Sequence, residues 1–264
     1  MELKKVTYSV SDGIAVIAMN YMKNLNAIDE QMADEIFYAL NESEKNPDVR
    51  VIVLKGSDRA FSAGGDIGYF YQLIQEGGDV NMDGLIAKCG AIADYMKRMS
   101  KIIITSVCGA AAGAGVSLAL GGDFMICADN AKFLLAFVNL GLVPDTGATY
   151  LLSKSIGAAR TVELAATGRP MGAEEAKSLG LAYQVVAKEE LDEAVRKLAE
   201  KISSGPLISY KNMKKQIYDA NFADYKKWLE ETEVPTQREA AASADFQEGC
   251  KAFIEKRKPN FEGK

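Results

Sequence analysis

The position of one aspartate in the sequence makes it a candidate acid/base catalyst. Asp145 lies in the run Leu140-Gly-Leu-Val-Pro-Asp-Thr-Gly147, downstream of two glycine-rich turns. The chain of 264 residues has no histidine, which excludes an imidazole base, an imidazole metal ligand and a Ser-His pair. Apolar neighbours in sequence predict that desolvation raises the pKa of Asp145 and makes it a better base. The alternative role is structural, as a turn former or a helix N-cap.

The two glycine-rich turns have a common design. Ser62-Ala-Gly-Gly65 and Gly113-Ala-Gly115 each follow a predicted strand and precede a predicted helix, so that backbone N–H groups can face a ligand at close range. Together they can supply the paired donors of an oxyanion hole, worth roughly 3 to 4 kcal/mol per donor. Neither turn is a GxxxxGK[ST] phosphate cradle, and the second lacks the third glycine of a dinucleotide fingerprint, which disfavours ATP and NAD.

The elements that must position these turns follow from hydrophobic periodicity. The pattern predicts an initial hairpin (3–10 and 14–19) and a helix capped by Asp29 that extends to about Glu44, with Met32, Ile36, Phe37 and Leu40 on its buried face. Short apolar strands alternate with helices further along: strands at 51–54, 102–107 and 124–127, and helices from about 67, over 83–99 and over 116–120. After residue 147 the pattern is helical except for a strand at 182–186. The order predicts an α/β fold.

Composition narrows the class of protein. With 48% hydrophobic and 25% charged residues and a net charge of -5, the chain is typical of a globular protein and favours neither nucleic acid nor an anionic membrane as partner. No apolar run reaches the roughly 18 residues of a membrane helix, and the first residues do not resemble a signal segment. The four cysteines have no CxxC spacing, so a zinc site is not expected. We expect them to be free thiols in a cytoplasmic protein.

Ordered motifs over almost the whole chain resemble the crotonase, or enoyl-CoA hydratase/isomerase, superfamily. They are Leu25-Asn-Ala-Ile28, Ala60-Phe-Ser-Ala-Gly-Gly-Asp-Ile67, the stretch 109–120, Ala128-Asp-Asn-Ala-Lys-Phe133, Leu140-Gly-Leu-Val-Pro144, Thr167-Gly-Arg169 and the tail 245–257. The resemblance implies a spiral of ββα units over residues 1–200. It also implies a helical region over 201–264 that mediates trimerisation and completes the CoA site, in a homotrimer or a dimer of trimers.

The resemblance further implies an acyl-CoA thioester as substrate, with no separate cofactor and no metal. It places the oxyanion-hole amides on Ala63 and Ala114 and the acid/base on Asp145. Residues that it assigns to substrate or CoA binding lie in the first loop, the two turns and the C-terminal helix: Lys23, Ala27, Gly64, Gly65, Asp66, Ile67, Gly113, Ser117, Phe137, Phe253 and Lys256.

Two departures from the family pattern distinguish between reactions. Enoyl-CoA hydratases resemble this chain but carry glutamates where it has Ser117 and Phe137. Water addition is served by paired carboxylates, which serine and phenylalanine do not replace. The remaining Asp145 matches the position of the single carboxylate in Δ3,Δ2-enoyl-CoA isomerases and ring-epoxide phenylacetyl-CoA isomerases. The sequence therefore predicts an isomerase that shifts a proton between C2 and C4 through a dienolate.

Two other interpretations stay open at this point. One is a hydratase, or a hydrolytic or dehalogenating family member with Asp145 as nucleophile, although the family's dehalogenases also use a histidine. The other is a noncatalytic CoA-binding subunit, which the loss of both glutamates suggests.

Overall fold

The computed structural model describes residues 1–77 and 81–264. The chain begins with the predicted hairpin of strands β1 (Val6–Ser11) and β2 (Ile14–Met19), which pair antiparallel. Helix α1 (Glu30–Lys45) follows, and the Asp29 side chain accepts the Met32 N–H as its N-cap. Met32, Ile36 and Leu40 are buried as predicted. Phe37 was wrongly placed on that face: it lies about 100° around the helix from Ile36, is exposed and packs against Tyr95.

Three ββα units come next. The first contains β3 (Val51–Lys55), β4 (Ala60–Ser62), α2 (Ile67–Gln75) and α3 (Asp83–Arg98). The second contains β5 (Ile102–Val107), β6 (Ala110–Ala112) and α4 (Ala114–Gly121). The third contains β7 (Phe124–Ala128), β8 (Lys132–Leu134), a 3-10 helix (Ala136–Leu140), α5 (Ala148–Ile156) and α6 (Ala158–Thr167). They are followed by β9 (Pro170–Gly172), α7 (Ala173–Ser178) and β10 (Gln184–Val186).

The units build two sheets. The first strand of each unit joins a six-stranded sheet in the order β1-β2-β3-β5-β7-β10, and the second joins a four-stranded sheet in the order β4-β6-β8-β9. Neighbouring strands of successive units run parallel, as between Val53 and Ile104 in the large sheet. Every residue of β5 is buried, which accounts for its continuous apolar run. Each glycine-rich turn therefore leads from a strand of the small sheet into a helix.

The last quarter of the chain is helical and packs back onto these units. It contains α8 (Leu191–Ser203), α9 (Leu207–Asn221), α10 (Tyr225–Trp228), a π-helical turn (Leu229–Glu233), α11 (Val234–Ala241) and α12 (Ala244–Glu255). Helices α9 and α11 contact α3, and α12 contacts α2 and the 3-10 helix. None of the helices in the described residues is both long and apolar enough to cross a membrane.

Candidate active site

A cavity of about 290 Å³ lies between the two glycine-rich turns, the Asp145 loop and the C-terminal helix α12. Its wall is largely apolar, with Ile67 and Phe70 from α2, Leu85, Ile86 and Cys89 from α3, and Phe253 from α12. The polar part of its lining is the backbone of residues 63–65 and 112–114, together with Asn139, Asp145 and Thr146. The structure thus brings Asp145 and both turns to one cavity.

The close approach of the two turns depends on glycine. Gly64 and Gly113 both have positive φ, +85° and +50°, a region that L side chains rarely adopt. A Cβ at Gly64 would lie 2.8 Å from the Ala112 carbonyl oxygen. A side chain at Gly64 would force the two turns apart. Because glycine has none, the two backbone segments can share one end of the cavity.

The amide predicted in the first turn needs a correction. The Ala63 N–H donates to the Leu25 carbonyl at 3.0 Å, because the loop after β2 runs beside this turn, and it is not available to a ligand. Two residues further along, the Gly65 N–H makes no hydrogen bond to any described residue. The same holds for Ala114, whose N–H begins α4 where helical donors lack partners. The candidate pair of amides is therefore Gly65 and Ala114.

The Asp145 carboxylate is buried, and hydrogen bonds from the Gln237 and Thr146 side chains favour its ionised form. Gln237 Nε2, from α11, donates to Asp145 Oδ2 at 2.8 Å. Burial raises the pKa of Asp145 to about 7, and the hydrogen bond from Gln237 opposes part of that rise. The side chain does not cap α5, which begins at Ala148 after Gly147, so the N-cap alternative does not describe this residue.

The loop that carries Asp145 is held by the C-terminal helices. Both Glu233 carboxylate oxygens accept the Gly147 N–H, at 3.0 and 2.9 Å, and Gln237 Oε1 accepts the Val143 N–H at 3.0 Å. Glu233 is buried, and burial together with the nearby Asp145 raises its pKa to about 9. Sequence analysis missed Glu233 and Gln237. Their spacing of four residues on a helix is common, and nothing local links them to a loop some 90 positions earlier.

Ser117 does not contact the cavity, contrary to the prediction that it binds substrate. It is fully buried in α4, and its Oγ lies 2.8 Å from Thr146 Oγ1 and 3.4 Å from the Asp145 carbonyl oxygen. The reason is that its side chain faces the Asp145 loop rather than the space between the turns. Ser117 therefore supports the loop, whereas Phe137, the other residue at a hydratase glutamate position, does line the cavity.

The other predicted binding residues divide into two groups. Gly64, Gly65, Ile67, Gly113 and Phe253 line the cavity. The remainder lie outside it: Lys23 and Lys256 are exposed, Ala27 is buried beside it, and Asp66 caps α2 by accepting the Tyr69 N–H at 3.1 Å. A role for this second group toward the CoA carrier stays a prediction. Among the described residues, no three acidic or cysteine side chains converge as metal ligands would.

Comparison with known proteins places this site in a family. The family model described as enoyl-CoA hydratase/isomerase matches residues 9–264. The chain belongs to the enoyl-CoA hydratase/isomerase family. Its fold is accordingly the crotonase fold, as the resemblance implied. A crystal structure of an enoyl-CoA hydratase from Mycobacterium avium subsp. paratuberculosis matches with a TM-score of 0.87 and 28% identity, covering 99% of this chain and 100% of that one.

Relatives within the family carry different names. The trans-2-decenoyl-[acyl-carrier-protein] isomerase of Streptococcus mutans is 31% identical over the whole of both chains. The 1,2-epoxyphenylacetyl-CoA isomerase of Escherichia coli is 35% identical over 97% of each. Membership therefore makes this chain an enzyme of the enoyl-CoA hydratase/isomerase family.

Proposed function

We propose that the protein is an enoyl-CoA isomerase in which Asp145 alone moves a proton between C2 and C4. The observation that carries the proposal is the lining of one cavity by Asp145, the unpaired amides of Gly65 and Ala114, and apolar side chains. Asp145 is the one carboxylate among the described residues that line this cavity. A base, an oxyanion hole and an apolar acyl site are the parts that a double-bond shift needs.

The mechanism follows from these groups. Ionised Asp145 removes a proton from C2 of a 3-enoyl thioester, and the electron pair spreads over C2, C4 and the thioester oxygen. The Gly65 and Ala114 N–H groups stabilise the negative oxygen of this dienolate. The protonated Asp145 then returns its proton to C4, which leaves the 2-enoyl product. A pKa near 7 suits a group that must both take and return a proton near neutral pH.

The cavity offers little support for water addition. A hydratase must hold and activate a water molecule while a proton reaches C2, which paired carboxylates do well. In this chain, Ser117 is buried away from the cavity and Phe137 presents a ring to it. Glu233 is a second carboxyl near Asp145, but it is bound to the Gly147 N–H and does not line the cavity.

The test is a comparison of 3-hexenoyl-CoA and crotonyl-CoA as substrates, followed by ultraviolet absorbance and product mass. We expect 3-hexenoyl-CoA to be converted to the conjugated isomer without a change in mass. Asp145→Asn should lower kcat by roughly 10²- to 10⁴-fold, the range for a lost general base. Asp94→Asn is the matched control, because Asp94 is also a buried aspartate but pairs with Arg98 away from the cavity.

Each other outcome names a different function. A gain of one water from crotonyl-CoA would replace the isomerase with a hydratase. No turnover of any enoyl-CoA by folded protein would favour a noncatalytic CoA-binding role. Wild-type rates in Asp145→Asn would remove the base from the mechanism.

A second candidate function differs only in the group that carries the acyl chain. It is an isomerase of thioesters of acyl-carrier protein instead of CoA. The end-to-end similarity to the Streptococcus mutans enzyme favours testing it. On the proposed function the cavity receives the acyl end of the substrate, and both carriers present that end through a pantetheine thioester. Parallel assays with decenoyl-CoA and decenoyl-acyl-carrier protein separate the two: the preferred carrier is the one with the higher kcat/KM.

A further inference from the structure

Gln237 does not line the cavity, but it contacts the proposed base, Asp145, directly. It is fully buried in α11, and its side-chain amide makes two hydrogen bonds in opposite senses. Nε2 donates to Asp145 Oδ2 at 2.8 Å, while Oε1 accepts the Val143 N–H at 3.0 Å. One side chain therefore binds both the carboxylate and the backbone two residues before it.

This arrangement fixes the rotation of the Asp145 side chain. A carboxylate with one oxygen held by a buried donor can present only its other oxygen, Oδ1, to a substrate proton. The partner cannot turn away, because its own oxygen is bound to Val143. The neutral amide also stabilises the ionised form of Asp145 without adding a charge to a buried site.

The rest of the loop is held at its other end. Glu233, one helical turn before Gln237, accepts the Gly147 N–H. Between these two anchors Thr146 has a φ of +57°, a backbone conformation that costs free energy in a residue other than glycine. The π-helical turn and α11, which follow one another without a break, therefore hold this strained backbone at both ends.

We propose that Gln237 is a positioning residue for Asp145, which makes proton transfer in the cavity depend on the seating of α11. The inference rests on the isomerase function proposed above. The titratable groups around Asp145 are Glu233 from the π-helical turn, Cys89 from α3 and Tyr225, whose hydroxyl lies 3.5 Å from the Thr146 carbonyl oxygen, from α10. Gln237 does not titrate, and among the described residues of the C-terminal helices its amide is the group that donates to the carboxylate.

Two substitutions separate its two bonds. Gln237→Leu removes both. Gln237→Glu keeps the length and an oxygen that accepts the Val143 N–H, but it replaces the donor to Asp145 with a second acidic oxygen. We expect either variant to lower kcat about 10- to 100-fold while KM changes by less than about threefold, because misplacing a reacting group costs rate rather than binding. The acid limb of the pH profile should move to higher pH in both, since each loses the bond that favours the ionised carboxylate.

Gln216→Leu, an exposed glutamine on α9, is the matched control and should behave as wild type. A folded Gln237→Glu with wild-type kcat and acid limb would overturn the proposal and reduce Gln237 to a support for Val143. A lower melting temperature with an unmoved acid limb would do the same. An inactive wild type would instead overturn the isomerase function, so the two failures are distinguishable.

Discussion

At the scale of single residues, the proposed isomerase chemistry depends on the proton affinity of one buried carboxyl group, that of Asp145. The pKa of Asp145 is raised to about 7 because its carboxylate is removed from water. Below that value the group is protonated and cannot act as a base. We therefore expect kcat/KM for the isomerisation to rise with pH through about 7 and then level off. The chain has no histidine to titrate in the same range, so a profile that is flat from pH 5 to 9 would contradict this assignment.

Glu233 makes the stability of the fold depend on pH. This stability falls as pH rises, whereas the activity expected from Asp145 rises with pH. Its pKa is raised from 4.5 to about 9, so the folded chain keeps a proton that the unfolded chain releases between these values. The free energy of unfolding therefore falls as pH rises through this window. Glu233→Gln should match wild type at pH 5 and exceed it at pH 9 by about 2 kcal/mol or more, measured by denaturant unfolding. Equal stability at both pH values would show that Glu233 does not carry the buried proton.

The oxyanion role of Ala114 can be tested without moving the helix that contains it. Ala114 is the first residue of α4, a position that tolerates proline because its N–H has no helical partner. Ala114→Pro removes that N–H and should lower kcat about 10²- to 10³-fold, with little change in melting temperature. Ala114→Gly keeps the N–H and serves as its control. If both variants keep wild-type kcat, the Ala114 N–H is not an oxyanion donor.

The residues that sequence reasoning found and missed differ in how local their signals are. Asp145 and Ala114 lie in short motifs, and both line the cavity. The choice of Ala63 over Gly65 was wrong because a motif gives the position of a turn but not the direction of each N–H in it. That direction is set by the Leu25 carbonyl, 38 positions earlier in the chain.

At the scale of elements, long periodic segments could be predicted from the sequence, whereas the strands of the small sheet could not. The hairpin, α1, α3 and β5 follow from apolar patterns of six residues or more. Strands β4, β6, β8 and β9 have three residues each, too few to show a period, and they exist because they pair with one another. They matter to the site because the turns after β4 and β6 carry the candidate amides.

The position of α12 against the cavity depends on a close backbone contact at Gly249. A Cβ on Gly249 would lie 2.6 Å from the backbone of Leu140, the last residue of the 3-10 helix. Gly249→Ala should displace α12, move Phe253 away from the cavity and lower the free energy of unfolding by about 1 to 3 kcal/mol. KM should rise with it. Gly172→Ala is the control, since nothing lies within 4 Å of its added Cβ, and an equal loss in both variants would exclude packing as the cause.

At the scale of the whole molecule, apolar side chains that are exposed in the single chain are candidates for burial in an assembly. Val162 on α6 and Ile208 on α9 are 64% and 78% exposed in the single chain. Burying such residues is favourable, and we expect light scattering to give a mass of three or six chains of 28.5 kDa. A chain that stays monomeric at micromolar concentration would contradict the trimer or dimer of trimers that the family resemblance implies.

The bond between Gln237 and Asp145 also sets an order of events during synthesis. The two residues are 92 positions apart, and the amide is made after the acid. At about 5 to 20 residues per second, roughly 5 to 18 s separate them on the ribosome. During that interval a nascent chain contains both glycine-rich turns and Asp145 but lacks the Gln237 amide that binds the carboxylate. On the proposed mechanism, a growing chain therefore gains the partner of its base only once about nine tenths of it has been made.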